Sequence, residues 1–115
     1  MATACLFIGF NRPIPGREAE AHKSLDATVV ALDGFKKEGW FESYEVIGLT
    51  PHFGSTNGFL LVKGERAKLD ELRRTDAFER FSLTLARLFD GYGVVPGVTL
   101  EGLRKVQERT SDLHS

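Results

Sequence analysis

Apolar residues in this chain gather into runs of two kinds. Ala4 to Phe10 is apolar throughout apart from Gly9. Read as a strand, it puts Cys5 and Phe7 on one face and Leu6, Ile8 and Phe10 on the other. A strand that is apolar on both faces is buried on both sides. Asn57 to Lys63 repeats the pattern, with Phe59, Leu61 and Lys63 on one face and Leu60 and Val62 on the other. Trp40 to Leu49 alternates less cleanly. One of its faces carries Trp40, Glu42, Tyr44 and Val46, and the other Phe41, Ser43, Glu45, Ile47 and Leu49. Tyr92 to Leu100 predicts a fourth strand, interrupted by Pro96-Gly97. Pro96 has no N–H for a ladder, so it demands a bulge or an edge position.

Helical spacing fills the gaps between these strands. Asn11 to Gly16 holds two prolines and a glycine and predicts a loop. From near Arg17 onward, Ala21, Leu25, Thr28, Val29 and Leu32 form an apolar stripe at helical spacing. Glu18 and Glu20 fall in its first turns, where the helix dipole favours anions. Gly34 is one stop signal, and Gly39 a later one if the helix runs on through Lys36 and Lys37. Thr50 to Thr56 has loop composition. Glu65 to Phe89 predicts a helical segment with a break near Arg74 to Asp76. Leu69 and Leu72 mark its first piece. Asp76 followed by Glu79 fits a capping box and opens the second, whose stripe is Phe78, Phe81, Leu85, Leu88 and Phe89. Gly91 ends it. Glu101 to Arg109 predicts a short terminal helix, with the last residues fraying.

The order is strand–helix–strand, then strand–helix–strand. Two such units give an α+β fold of the ferredoxin-like β-α-β-β-α-β kind, a four-stranded antiparallel sheet with helices on one face. The helices cover only that face. The two-sided strands therefore require something else over the second. At 115 residues the expectation is a single domain, 1–115, with its core in 4–100 and a helical tail in 101–115.

With Pro15-Gly16-Arg17-Glu18-Ala19-Glu20 entering the first helix, and the broken helix Leu69–Phe89 leading into Tyr92-Gly93-Val94, residues 4–100 resemble the dimeric α/β-barrel superfamily. The resemblance implies a homodimer whose two sheets face each other, which would cover the second apolar face. It also implies a small-molecule ligand in a pocket between the sheet and the helices of one subunit. The superfamily includes cofactor-free monooxygenases acting on aromatic substrates, haem-degrading enzymes and small isomerases. Its haem-degrading members carry a histidine on the second helix, and this chain has none between Glu65 and Gly91. No haem or other cofactor is expected. The Asn, Trp, Tyr and Arg pattern of the quinone-forming monooxygenases does not align here, so no family catalytic set carries over.

Candidate chemistry is thin. His22 and Asp26 stand four apart on the first helix, beside the stripe of Leu25 and Val29, and can meet there. A carboxylate that fixes a histidine tautomer raises its basicity, as a general base needs. The bland alternative is a solvated helical pair. Trp40, Glu42 and Tyr44 share a strand face and suit a pocket wall, with Tyr44 and Glu42 as proton-handling groups and Trp40 as ligand contact. The alternative is ordinary core aromatics and a wet strand end. His52 lies in a loop, where function concentrates, although a lone loop histidine is commonly only exposed. The candidate set is thus His22, Asp26 and Tyr44 for catalysis and Trp40, Glu42 and His52 for ligand binding. His22, His52 and His114 lack metal-ligand spacing, so no metal site is expected.

Composition narrows the partners. Lys plus Arg is 15 and Asp plus Glu is 16, a net charge of −1, which gives neither nucleic acid nor an anionic membrane an electrostatic reason to bind. No apolar run approaches the roughly 20 residues of a membrane helix. The apolar N-terminal run is too short and lacks the basic start of a signal peptide. Cys5 is the only cysteine, and its place in an apolar run fits a reduced thiol in the cytoplasm. The first and third strands faintly match the two sheet motifs of RNA-recognition domains. The leading basic residue is missing, however, and Leu61 stands where a stacking aromatic is wanted. The expected function is small-molecule binding, with a cofactor-independent monooxygenase or isomerase as the enzymatic form. A non-catalytic dimeric ligand-binding or regulatory module is the alternative, with RNA binding behind both.

Overall fold

The two strands that are apolar on both faces become the two inner strands of one sheet. The computed structural model describes residues 2–52 and 54–114, with side chains as far as Thr110. The elements run β1 (Ala4–Phe10), α1 (Glu18–Lys37), β2 (Ser43–Gly48), β3 (Gly58–Gly64), α2 (Arg66–Arg73), α3 (Asp76–Leu88), β4 (Gly93–Val98) and α4 (Leu100–His114). The sheet order is β2-β3-β1-β4, antiparallel throughout, which is the expected ferredoxin-like topology. β1 and β3 lie inside, β2 and β4 at the edges.

The face of the sheet toward the helices is the core. Ala4, Leu6, Ile8, Leu60 and Val62 are buried there against Leu32 and Phe35 of α1, Leu69 and Leu72 of α2, and Phe78 and Leu85 of α3. Phe35, Phe78 and Phe81 add tilted and edge-on ring contacts that lock α1 to α3. The other face carries Cys5, Phe7, Ile47, Phe59, Leu61 and Val95, all partly or fully exposed. Register sets Phe7 between Leu61 and Val95, and Phe59 beside Ile47. The Phe7 and Phe59 rings stack with centroids 5.0 Å apart. Gly9 permits this: a Cβ there would sit 2.7 Å from Cε1 of Phe7.

Several boundaries differ from the sequence reading, each for a local reason. Helix α1 runs straight through Gly34 and ends before Gly39, whose φ of 90° needs a glycine. The strand expected from Trp40 begins only at Ser43. The Trp40 N–H donates to the carbonyl of Phe35, and Phe41 turns into the core, so alternation starts two residues later. The helix break falls where expected, but its cap is Thr75, whose Oγ1 accepts the N–H of Phe78 at 3.1 Å, not Asp76. Pro96 sits in edge strand β4 opposite Leu6, where its missing N–H costs no ladder bond to a further strand. The terminal helix is longer than expected, and the expected fraying falls largely on side chains outside the described residues.

The cap assignment yields a test by chemical denaturation. Thr75→Ala should destabilise the protein by about 1 kcal/mol, the usual worth of an N-cap hydroxyl. Asp76→Ala should cost only roughly 0.3 to 0.5 kcal/mol, a first-turn dipole effect. The reverse ranking would return the cap to Asp76.

Candidate functional site

Small residues on the inner face of α1 decide where space is left. Toward its C-terminal half, Leu32 and Phe35 fill the gap between helix and sheet. Toward its N-terminal half the buried positions are Ala21 and Thr28, too short to reach the sheet. The result is a cavity of about 190 Å³. Its floor is Phe10 of β1, Val46 of β2 and Leu60 of β3. Leu85 and Phe89 close it from the α3 side, and Pro13 from the loop after β1. Leu25 and His22 stand at its rim, Leu25 53 % exposed and His22 also exposed.

The loop after β1 is held in place by backbone bonds. The Asn11 N–H donates to the Asp90 carbonyl, the Ile14 N–H to that of Leu88, and a bridge joins Pro13 to Phe89. Asn57 reinforces this end by donating from Nδ2 to Oδ1 of Asn11 at 2.6 Å. The polar groups of the cavity are few. Ser24 turns its hydroxyl back onto the Ala21 carbonyl at 2.6 Å. His22 is the single titratable side chain among the lining residues.

The other sequence candidates lie elsewhere. Asp26 is exposed on α1, and no hydrogen bond joins it to His22. Tyr44 does face the helices, but it pairs with Val62 and its hydroxyl donates to Oδ1 of Asp33 at 2.6 Å. Asp33 is eleven residues beyond His22, roughly 16 Å along the helix, so Tyr44 and His22 serve opposite ends of α1. Trp40 packs at the far end of the core and donates Nε1–H to Glu38 at 3.1 Å. Glu42 is exposed just ahead of β2. His52 works within its own loop: Nδ1 accepts the Gly54 N–H at 2.7 Å, which leaves Nε2–H to donate to the Thr56 carbonyl at 2.8 Å. Among the described residues no three His, Cys, Asp or Glu side chains gather as a metal-sized cluster. A second, more open groove of about 490 Å³ runs outside α1 and α3, past Ala27, Ala31, Gly34 and Arg80.

Sequence reasoning missed Phe10, Pro13 and Phe89 as cavity walls. The face that Phe10 shares with Leu6 and Ile8 and the apolar stripe containing Phe89 were both legible. The docking of an irregular loop against the end of α3 was not.

Comparison with solved structures bears on the fold. A Pseudomonas aeruginosa protein, PA3566, superposes with a TM-score of 0.61 at 16% identity, over 87% of this chain and 96% of that one. NE2512, a protein of unknown function from Nitrosomonas europaea, gives 0.61 at 17%, covering 87% and 91%. A dimeric protein of unknown function and ferredoxin-like fold from Bacteroides fragilis gives 0.59 at 13%, covering 84% and 96%. The chain shares its fold with these structures, and the last of them is described as ferredoxin-like. At these identities the likeness carries fold alone. No protein-family model matches the sequence, and no curated protein matches it. No helix among the described residues is long and apolar enough to cross a membrane.

The Tyr44–Asp33 bond has a pH signature. The carboxylate that accepts the hydroxyl, helped by partial burial and by its charge, pushes the Tyr44 phenol above its ordinary range. A raised folded value means the bond's contribution is complete below the usual tyrosine pKa of about 10 and is lost as pH rises through the folded value. In an alkaline titration followed by ring NMR signals, Asp33→Ala should let Tyr44 ionise at lower pH while Tyr92 stays put. An unmoved Tyr44 would remove Asp33 as the cause.

Proposed function

We propose that the protein binds a small, uncharged and largely apolar molecule in the cavity between α1, the sheet and α3. The observation that carries this is the lining: Phe10, Val46, Leu60, Leu85 and Phe89 leave a wall with almost no polar atoms. A charge placed there would lose its hydration without a partner. An apolar cavity of roughly 150 Å³ takes benzene, so about 190 Å³ suits one or two rings. His22 at the rim is placed to meet a ligand carbonyl or hydroxyl.

The binding subunit is a single domain that pairs with a second copy over the open sheet face. That face carries one cation, Lys63, and one anion, Glu45, among apolar neighbours. A copy turned about a two-fold axis presents the complementary charge and a matching apolar surface. A cytoplasmic location belongs to the same proposal and rests on the lone Cys5 thiol. Catalysis is the second reading, as an isomerase or a cofactor-independent monooxygenase. His22 is the observation that favours it. An RNA reading draws no support: Phe7 and Phe59 stack on each other instead of standing free for bases.

NMR titration with naphthalene and acetophenone tests the site. Wild type should show saturable shifts confined to α1, Leu60 and Leu85. Ala21→Leu, which fills the cavity, should weaken both ligands at least about tenfold. His22→Gln should weaken acetophenone and leave naphthalene unchanged. Equal binding by wild type and Ala21→Leu, or no binding by wild type, would remove the cavity as the site. Turnover of a keto compound that is lost in His22→Gln while binding persists would establish the catalytic reading.

A further inference from the structure

Edge strand β4 leads directly into α4. Thr99 fixes that junction. Its hydroxyl donates to the Ala2 carbonyl at 2.8 Å and accepts the Gly102 N–H at 3.2 Å. Gly102 is buried, and a Cβ there would lie 2.1 Å from the Thr3 carbonyl oxygen. The first turn of α4 is therefore pinned to the body. From Leu103 to Thr110 every residue is exposed, so the rest of the helix leaves it. The radius of gyration is 16.0 Å, against roughly 13 Å for a compact chain of this length. The molecule is 58 Å long and 19 Å thick.

The projecting helix has an apolar side that solvent does not call for. Leu100, Leu103 and Val106 are 61%, 51% and 52% exposed. At about 100° per residue they fall within one half of the helix, while Arg104, Lys105, Glu108 and Arg109 fall in the other. Such a stripe on a pinned arm is built to be covered.

The size of the open sheet face says by what. Four strands about 4.8 Å apart, six residues long at about 3.4 Å each, give a footprint of roughly 400 Å². A stable interface takes about 600 to 1,000 Å² from each partner. The face alone falls short. One side of a helix of 15 residues, about 22 Å by 10 Å, adds roughly 220 Å² and brings the footprint to the lower bound.

We infer that α4 is an exchanged arm, laying its Leu103–Val106 stripe on the second copy and completing the interface that the open sheet face begins. The inference rests on the homodimer proposed above. Under two-fold symmetry each subunit donates one arm and receives one.

Sedimentation of the full chain over a concentration series tests it. Wild type should be a dimer at micromolar concentration. Leu103→Asp/Val106→Asp should raise the dimer dissociation constant about a hundredfold, since two arms are lost at once. Its circular dichroism should be unchanged, because both side chains are already exposed in the subunit. Val30→Asp, 71% exposed on the outer side of α1, should leave the constant as it was. A monomeric wild type would remove the dimer and the arm together. A wild-type dimer that the arm variant does not weaken, or that Val30→Asp weakens equally, would remove the arm alone. An arm that folds back on its own subunit, or that serves a different partner, gives that same unchanged constant.

Discussion

A sheet whose two central strands are apolar on both faces cannot be satisfied by one layer of helices. Leu6, Ile8, Leu60 and Val62 are covered by α1, α2 and α3. Phe7, Phe59 and Leu61, on the same strands, are not. The stacked Phe7–Phe59 pair reduces the exposed apolar area, and Gly9 is kept small so that the Phe7 ring can lie down. That economy still leaves Leu61, Ile47 and Val95 partly or fully open to solvent around the stacked pair. The terminal helix leaves from one edge of that sheet, and the second copy proposed above would cover the face.

The cavity arises from the same two-layer packing. The space between a helix and a sheet is filled only where the facing side chains are large enough to reach across it. Here Leu32 and Phe35 fill one end, while Ala21 and Thr28 leave the other open. The space takes its chemistry from the strands beneath, which are apolar because they are central. A cavity made this way selects against charge and leaves orientation to the few polar groups at its mouth, His22 among them.

Most of the fold was legible because periodicity reports burial. The two-sidedness of β1 and β3, the stripe of α3 and the break before Asp76 all follow from which positions are apolar. Positions set by backbone geometry were less legible. Thr75 caps α3 in place of Asp76 because the turn brings its hydroxyl, not the neighbouring carboxylate, to the Phe78 N–H. Phe41 breaks alternation because the chain turns at Gly39. For the candidate site, Ala21, Thr28 and the neighbouring His22 lie at the end of α1 where the cavity opens, and the periodic stripe already placed all three on or beside the inner face. Trp40 and Tyr44 share a face by parity, but parity does not say how far along a helix a strand residue lands. His52 carries its own explanation as a loop clasp, which no sequence spacing predicts.

Leu61 sits on β3 in the middle of the open face, and it is neither among the residues that line the cavity nor part of the helix-side core. A charge placed there should leave the subunit folded and the second copy unable to dock. Size-exclusion with light scattering on Leu61→Glu is therefore the most direct measurement. The account predicts a folded monomer, with the thermal unfolding of a cooperative domain, beside a dimeric wild type. A Leu61→Glu protein that keeps the wild-type dimer mass would show that the open sheet face is not where two copies meet.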